Sequence, residues 1–293
     1  MADILLRGSS IDGAIRVFVA ITTELSEEAR KIHNTTPVAT AALGRTLTAA
    51  AIMGAGLKNE TDSTTIQFKG DGPLGSIVAV TDNHSAVRGY VVNPYVDLPL
   101  NKKGKLDVGG AVGKGYLNII RDLSLKEPYA GQVPIVTGEI AEDLTYYYAR
   151  SEQIPTAIGL GVLVDTDYSV KASGGFMLQL MPEATEDVAI KLEEHVRTLE
   201  PITEMITSGM TPEDIFFHIT EGFDMIMENK TVTPKYQCKC SKERMEQALI
   251  AIGKEELEGI IEEQGEAELT CQFCDNKYKF SKEELSKLLK EAK

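Results

Sequence analysis

Along the first 180 positions, short runs rich in apolar and β-branched residues are separated by turn residues. Residues 4–8 and 14–21 read as strands joined by a turn around Asp12-Gly13. Acidic residues open a helix over 24–33, and Pro37, at a first helical position, begins a second, Ala-rich helix reaching about Leu57. That second helix carries Ala, Leu, Ile and Met on several faces, which predicts burial all round. Residues 64–69, 76–81 and 88–92 read as successive strands, followed by a strand at 115–121 and a helix near 139–150. Strands at 154–165 and 170–181 come last. Runs of strands with few helices between them predict an α+β fold and argue against a doubly wound α/β one.

The periodicity then changes. Val188, Leu192, Val196 and Leu199 fall on one helical face, and Ile215, Ile219, Phe223 and Ile226 on another, with breaks at Pro201, Gly209 and Pro212. After Pro234, helices are expected at 241–252, stopped by Gly253, and at 254–263. Glu268-Leu269-Thr270 and Lys277-Tyr278-Lys279-Phe280 read as two short strands around a turn, and Ser281 with Glu284 makes a capping box that opens a last helix.

Charge sharpens this division. The 293 residues carry a net charge of −14, of which residues 183–230 hold −9, residues 1–182 only −3 and residues 231–293 only −2. Three parts are therefore expected: a mixed α and β core domain (1–182), an acidic helical linker (183–230) and a small C-terminal domain (231–293). The linker also holds Met205, Met210, Met225 and Met227. Methionines fill gaps in ordinary helical hairpins, but with twelve mutually repelling acids they also suit a marginal, adaptable surface. Composition does not separate the two readings.

A hydrophobic fraction of 43% is enough to build a core, so global disorder is excluded. The acidic balance opposes phosphate neutralisation, so no nucleic-acid partner is expected. No apolar run approaches the ~18 residues of a membrane span, so no membrane partner is expected either. Met1-Ala2-Asp3-Ile4 does not open a signal-type segment, and a cytoplasmic location is expected.

Two glycine-rich stretches invite a nucleotide reading. Gly70-Asp71-Gly72-Pro73-Leu74-Gly75 has the G-x-G-x-x-G spacing, but a β-branched, strand-like run follows it where a helix is needed to hold a pyrophosphate. A hairpin turn is expected there. The stretch 109–115 has the wrong spacing for a phosphate loop and no Ser or Thr after Lys114. The four histidines, His33, His84, His195 and His218, are scattered, and no nucleophile elbow is present. No enzyme chemistry is expected.

All four cysteines lie in the last quarter, as Cys238-x-Cys240 and Cys271-x-x-Cys274. A secreted disulfide scaffold would spread its cysteines through a small domain. A thioredoxin-like site would need a helix after C-x-x-C, where a strand is expected. Four thiolates from two close pairs suit a closed tetrahedral zinc site, with Cys238, Cys240, Cys271 and Cys274 as ligands to one zinc per chain. In about sixty residues such an ion adds folding energy that a small core lacks. Each pair is also a potential disulfide, although a C-x-C bridge needs a tightly folded backbone and is strained and reducible. Oxidation would remove the ligands and turn a redox event into an unfolding event. The linker is the element such an event would act on, and Ile215, Ile219, Phe223 and Ile226, or the sheet they cover, are the candidate client-binding surface.

The chain resembles the redox-regulated 33-kDa heat-shock chaperones along its whole length. The resemblance rests on the four cysteines, on Phe68-Lys69-Gly70-Asp71-Gly72-Pro73-Leu74-Gly75 and on Tyr148-Ala149-Arg150-Ser151-Glu152-Gln153-Ile154-Pro155. It extends to Gly174-Gly175-Phe176-Met177-Leu178-Gln179-Leu180-Met181-Pro182. It implies a holdase that is inactive when reduced and zinc-bound. It also implies disulfides Cys238–Cys240 and Cys271–Cys274 on oxidation, zinc release, linker unfolding, a homodimer, and ATP-independent binding of unfolded client proteins. The rival class is a zinc-ribbon nucleic-acid or transcription module, which would need a basic face around Lys277, Lys279 and Lys282. A thiol oxidoreductase is the second rival.

Overall fold

The computed structural model describes residues 2–291. These form two compact units, divided between Gln237 and Cys238. In the larger, β1 (Ile4–Ser10) and β2 (Ile15–Ile21) lead into helices α1 (Thr23–His33) and α2 (Pro37–Gly54). Strands β3 (Ser63–Gly70), β4 (Ser76–Asp82) and β5 (Ala86–Val91) come next. The short helix α3 (Val108–Val112), strands β6 (Gly115–Asp122) and β7 (Tyr129–Pro134), and helix α4 (Ile140–Tyr147) follow. After strands β8 (Thr156–Val164) and β9 (Val170–Leu180) come helices α5 (Glu186–Val196), α6 (Ile202–Thr207) and α7 (Pro212–His218). Strands β10 (Met225–Met227) and β11 (Lys235–Tyr236) close the unit. The fold is α+β.

The strands build two sheets, ordered β10-β1-β2-β9-β8 and β11-β5-β4-β3-β6-β7. Helix α2 packs against strands of both sheets. Its residues are buried except Pro37 at its start and Arg45, which pairs with Glu139 at 2.6 Å, so the apolar character on every face has a physical cause. Alanines let both sheets approach the helix closely. On β2, Phe18 and Ala20 face this shared core, while Ile15, Val17, Val19 and Ile21 point to the opposite face. That opposite face is covered by Leu192, Ile202, Met205, Ile215, Phe216 and Ile219 from α5, α6, α7 and the end of α7. The acidic segment thus shields one whole side of a sheet.

Several expectations change. The face shared by Ile215, Ile219, Phe223 and Ile226 is not a single helical face: α7 ends at His218, and Ile219 is its C-cap. Phe223 lies in the following turn, and Ile226 sits in β10 opposite Ser9, 55% exposed. Gly222, at φ +84, takes a left-handed conformation in the turn that follows the helix. Helix α2 stops at Gly54. Strand β7 and helix α3 lie where no element was expected; α3 contains Gly109-Gly110, poor helix formers, and is held by the Asp107 carboxylate accepting the Gly110 N–H. The expected 139–150 helix is α4 continued by a π-turn over Tyr148–Glu152. Residues 231–237 pair with strands of the larger unit: Val232 with Leu5, and β11 in parallel with β5.

The smaller unit comprises α8 (Lys242–Ala251), α9 (Lys254–Glu263), β12 (Glu266–Thr270), β13 (Lys277–Ser281) and α10 (Lys282–Leu288). The capping box of Ser281 with Glu284 opens α10. Among the described residues, no helix is long and apolar enough to cross a membrane.

Candidate metal centre

Cys238 and Cys240 lie on the extended segment ahead of α8, and Cys271 and Cys274 in the turn joining β12 to β13. That turn is local in origin. The Cys271 N–H donates to Asn276 O at 2.9 Å, and the Asp275 N–H donates back to Cys271 O at 2.8 Å. Asp275 takes a left-handed φ of +56, a conformation short polar side chains tolerate. The turn brings Cys271 and Cys274 together, and the β12–β13 ladder holds their strands in register. All four sulfurs lie within 4.8 Å of one another. Cys238 Sγ is 3.7 Å from Cys271 Sγ, and Cys240 Sγ is 3.3 Å from Cys274 Sγ.

These separations fit one ion. Zinc–sulfur bonds of about 2.3 Å in a tetrahedron put sulfurs about 3.8 Å apart. The electrostatics divide the thiols, with Cys240 the one whose thiolate is favoured without an ion. Burial raises the Cys240 thiol, but hydrogen bonds from the Tyr278 hydroxyl and the neighbouring thiols outweigh it and bring it down to about 7. Cys238 and Cys274 are pushed up, chiefly by burial. Tyr278 donates to Cys240 Sγ at 3.1 Å, and that bond holds its own hydroxyl up at about 12. The sequence offered no reason to single out Tyr278; its alternation places it on one face of a strand but does not show that the face meets a sulfur.

Among the described residues of the smaller unit, five apolar side chains are buried besides Cys271: Leu249, Leu257, Phe280, Leu285 and Leu288. So small a core benefits from a cross-link. Two of the lysines next to the turn share one carboxylate. Lys277 and Lys279 both reach Glu268, at 2.9 and 3.5 Å.

The two nucleotide look-alikes meet each other. The Gly72 N–H donates to Val112 O at 3.0 Å, the Leu74 N–H to Ala111 O at 3.1 Å, and the Lys114 N–H to the Asp71 carboxylate at 2.7 Å. The first stretch runs into β4, as its β-branched residues predict, and its amides bind backbone instead of phosphate. Of the candidate client-binding residues, Ile215 and Ile219 are fully buried against the sheet, while Phe223 is half-buried.

The family model described as Hsp33 protein matches residues 3–281. A 33 kDa chaperonin of Acetivibrio thermocellus is 50% identical over 290 residues, covering 99% of this chain and 98% of that protein. The 33 kDa chaperonin of Clostridioides difficile is also 50% identical, over 292 residues, covering 99% of this chain and all of its own length. The crystal structure of a 33 kDa chaperonin (heat shock protein 33 homolog) from Thermotoga maritima superposes with a TM-score of 0.91. It is 40% identical, with 99% of each chain covered. Likeness of sequence and fold over this whole length makes this chain a member of the Hsp33 family of chaperones.

Proposed function

We propose that this chaperone is a holdase switched by the oxidation state of Cys238, Cys240, Cys271 and Cys274. The observation that carries the reading is the gathering of four thiols within 4.8 Å in a unit with a very small core. In the reduced state the four sulfurs hold one zinc per chain, which cross-links α8's leading segment to the β12–β13 turn. Oxidation forms Cys238–Cys240 and Cys271–Cys274. Each pair of zinc-bound thiolates gives up two electrons to an oxidant such as peroxide, which takes two protons from solvent and leaves as two waters, and the metal loses every ligand. The smaller unit then loses much of its folding energy.

The acidic segment 183–230 is the element on which this loss acts. Its charge of −9 works against compaction, and its apolar side chains hold only by packing on the sheet. Opening it would bare Ile215, Ile219 and Phe223, together with Val17, Val19 and Phe176 of the sheet beneath, as the surface offered to unfolded clients. The oxidised form is a homodimer, and holding needs no ATP. Aggregation of a heat-denatured client, measured with and without peroxide alongside zinc release, tests the reading. Suppression that appears only after oxidation and tracks metal loss supports it; equal suppression by the reduced, metal-loaded chain refutes it.

A further inference from the structure

The larger unit contains a cavity of about 460 Å³ between β2, β9, the C-terminal end of α2 and the loop after β6. That size falls within the range of about 300–1,000 Å³ typical of small-molecule sites. Its walls are largely apolar, with Phe18, Met53, Leu57 and Met177 lining it and Leu125, 72% exposed, at its rim.

Three cations also line it: Arg16, Lys58 and Arg121. Arg121 pairs with Glu152 at 3.3 Å, and Glu152 is shared with the Tyr147 hydroxyl. The carboxylate of Asp62, the one acidic lining residue, is already occupied by Asn59 through its backbone N–H at 3.0 Å and its side-chain amide at 3.1 Å. Arg16 differs from both. Its Nη2 donates to Gln179 Oε1 at 2.9 Å, its Nε is buried with no hydrogen-bond partner, and it makes no ion pair among the described residues. The Phe18 ring, 5.8 Å from the guanidinium carbon, offers only a weak π contact. A partly buried guanidinium without a counter-charge is costly, and an incoming anion relieves that cost. In a chain of net charge −14, a cation-lined apolar cavity runs against the overall field.

We infer that this cavity binds a small amphipathic carboxylate. Its head would lie by Arg16 and Arg121 and its medium-length apolar tail along Phe18, Met53 and Met177. The inference stands apart from the redox reading, since every residue it uses lies in the larger unit.

The test is calorimetric titration of the reduced, metal-loaded full-length chain with decanoate and, separately, with decanol. Decanoate is expected to bind saturably at one per chain, and decanol about tenfold or more weaker. R16Q should weaken decanoate by about tenfold or more with little effect on decanol, and L125D at the exposed rim should weaken decanoate by repulsion. Equal affinity for the alcohol, several decanoates per chain, or no loss in either variant overturns the proposal. If R16Q does not fold, the exposed position of L125D leaves that variant to decide.

Discussion

The Tyr236 hydroxyl lies 3.1 Å from His33 Nε2, joining the strand just ahead of Cys238 to the C-terminal end of α1. The same hydroxyl donates to Gly89 O at 2.7 Å, and the Gln237 N–H donates to Val87 O at 2.8 Å. The Tyr236 hydroxyl, which also accepts the Gly89 N–H at 3.3 Å, thus fastens a strand of only two residues to both β5 and α1. Tyr236→Phe should lower the stability of the larger unit by about 1 kcal/mol and raise amide exchange over 232–237. Metal content should be unchanged. Urea unfolding and hydrogen exchange would show it, and an unaltered exchange pattern would mean that the backbone pairing alone holds β11.

Serine at any one of the four cysteines should weaken metal binding sharply. Cys271→Ser or Cys274→Ser should cost more folded structure than the Cys238 or Cys240 variants, because the β12–β13 hairpin is centred on those two sulfurs. Metal analysis of anaerobically purified protein is expected to give one zinc per chain. One ion per two chains would contradict a site closed within a single chain.

Gly72→Ala should destabilise the fold by about 1–3 kcal/mol. The reason is close approach: an added Cβ would lie 2.4 Å from Ala111 O, so α3 would have to move. The positive φ in this turn belongs to Gly75, at +66. Calorimetry with NAD or ATP is expected to show no binding to either variant or parent; tight binding would overturn the assignment of this loop to backbone packing.

Ile219→Asp should loosen segment 183–230 strongly, by roughly 3–5 kcal/mol, because it places an unpaired charge in a fully buried position. Phe223→Asp should act more weakly, since Phe223 is only half-buried and covered in part by Lys191, whose Nζ lies 4.7 Å from its ring. Both variants should show some holding activity while reduced. Should hydrogen exchange over 183–230 stay the same before and after oxidation while client binding still switches on, the segment is a passive tether.

Asp3 supplies a pH dependence. Burial pushes its carboxyl up to about 6, even though it accepts the Glu24 and Leu25 N–H groups that open α1. A carboxyl raised in the folded state favours folding in its protonated form. Its contribution is therefore complete below pH 4 and lost as pH rises through 6. Asp3→Asn, which cannot ionise, should flatten the stability profile across that interval, as read from thermal unfolding at pH 4, 5, 6 and 7. An identical slope in variant and parent would show that Asp3 is not the group responsible.

Most strands (though not β7, β10 or β11), the all-apolar α2 and the two cysteine pairs are legible in the chain itself because each depends on local physics. Period-two alternation marks a half-buried strand, apolar residues on every helical face mark a helix enclosed by neighbours, and C-x-C with C-x-x-C gathers ligands within a few residues. Other features depend on which distant segments meet. Ile226 leaves the helical face because β1 offers it an edge to pair with, and β11 joins a sheet whose other strands lie more than a hundred residues upstream. Helix α3 forms in spite of its glycines because the 70–75 turn packs against it. Tyr278 reaches Cys240 across 38 positions, and Arg16 meets Gln179 across 163. Spacing along the chain carries no information about such contacts, because the long-range packing that creates them is decided only when the sheets close around α2.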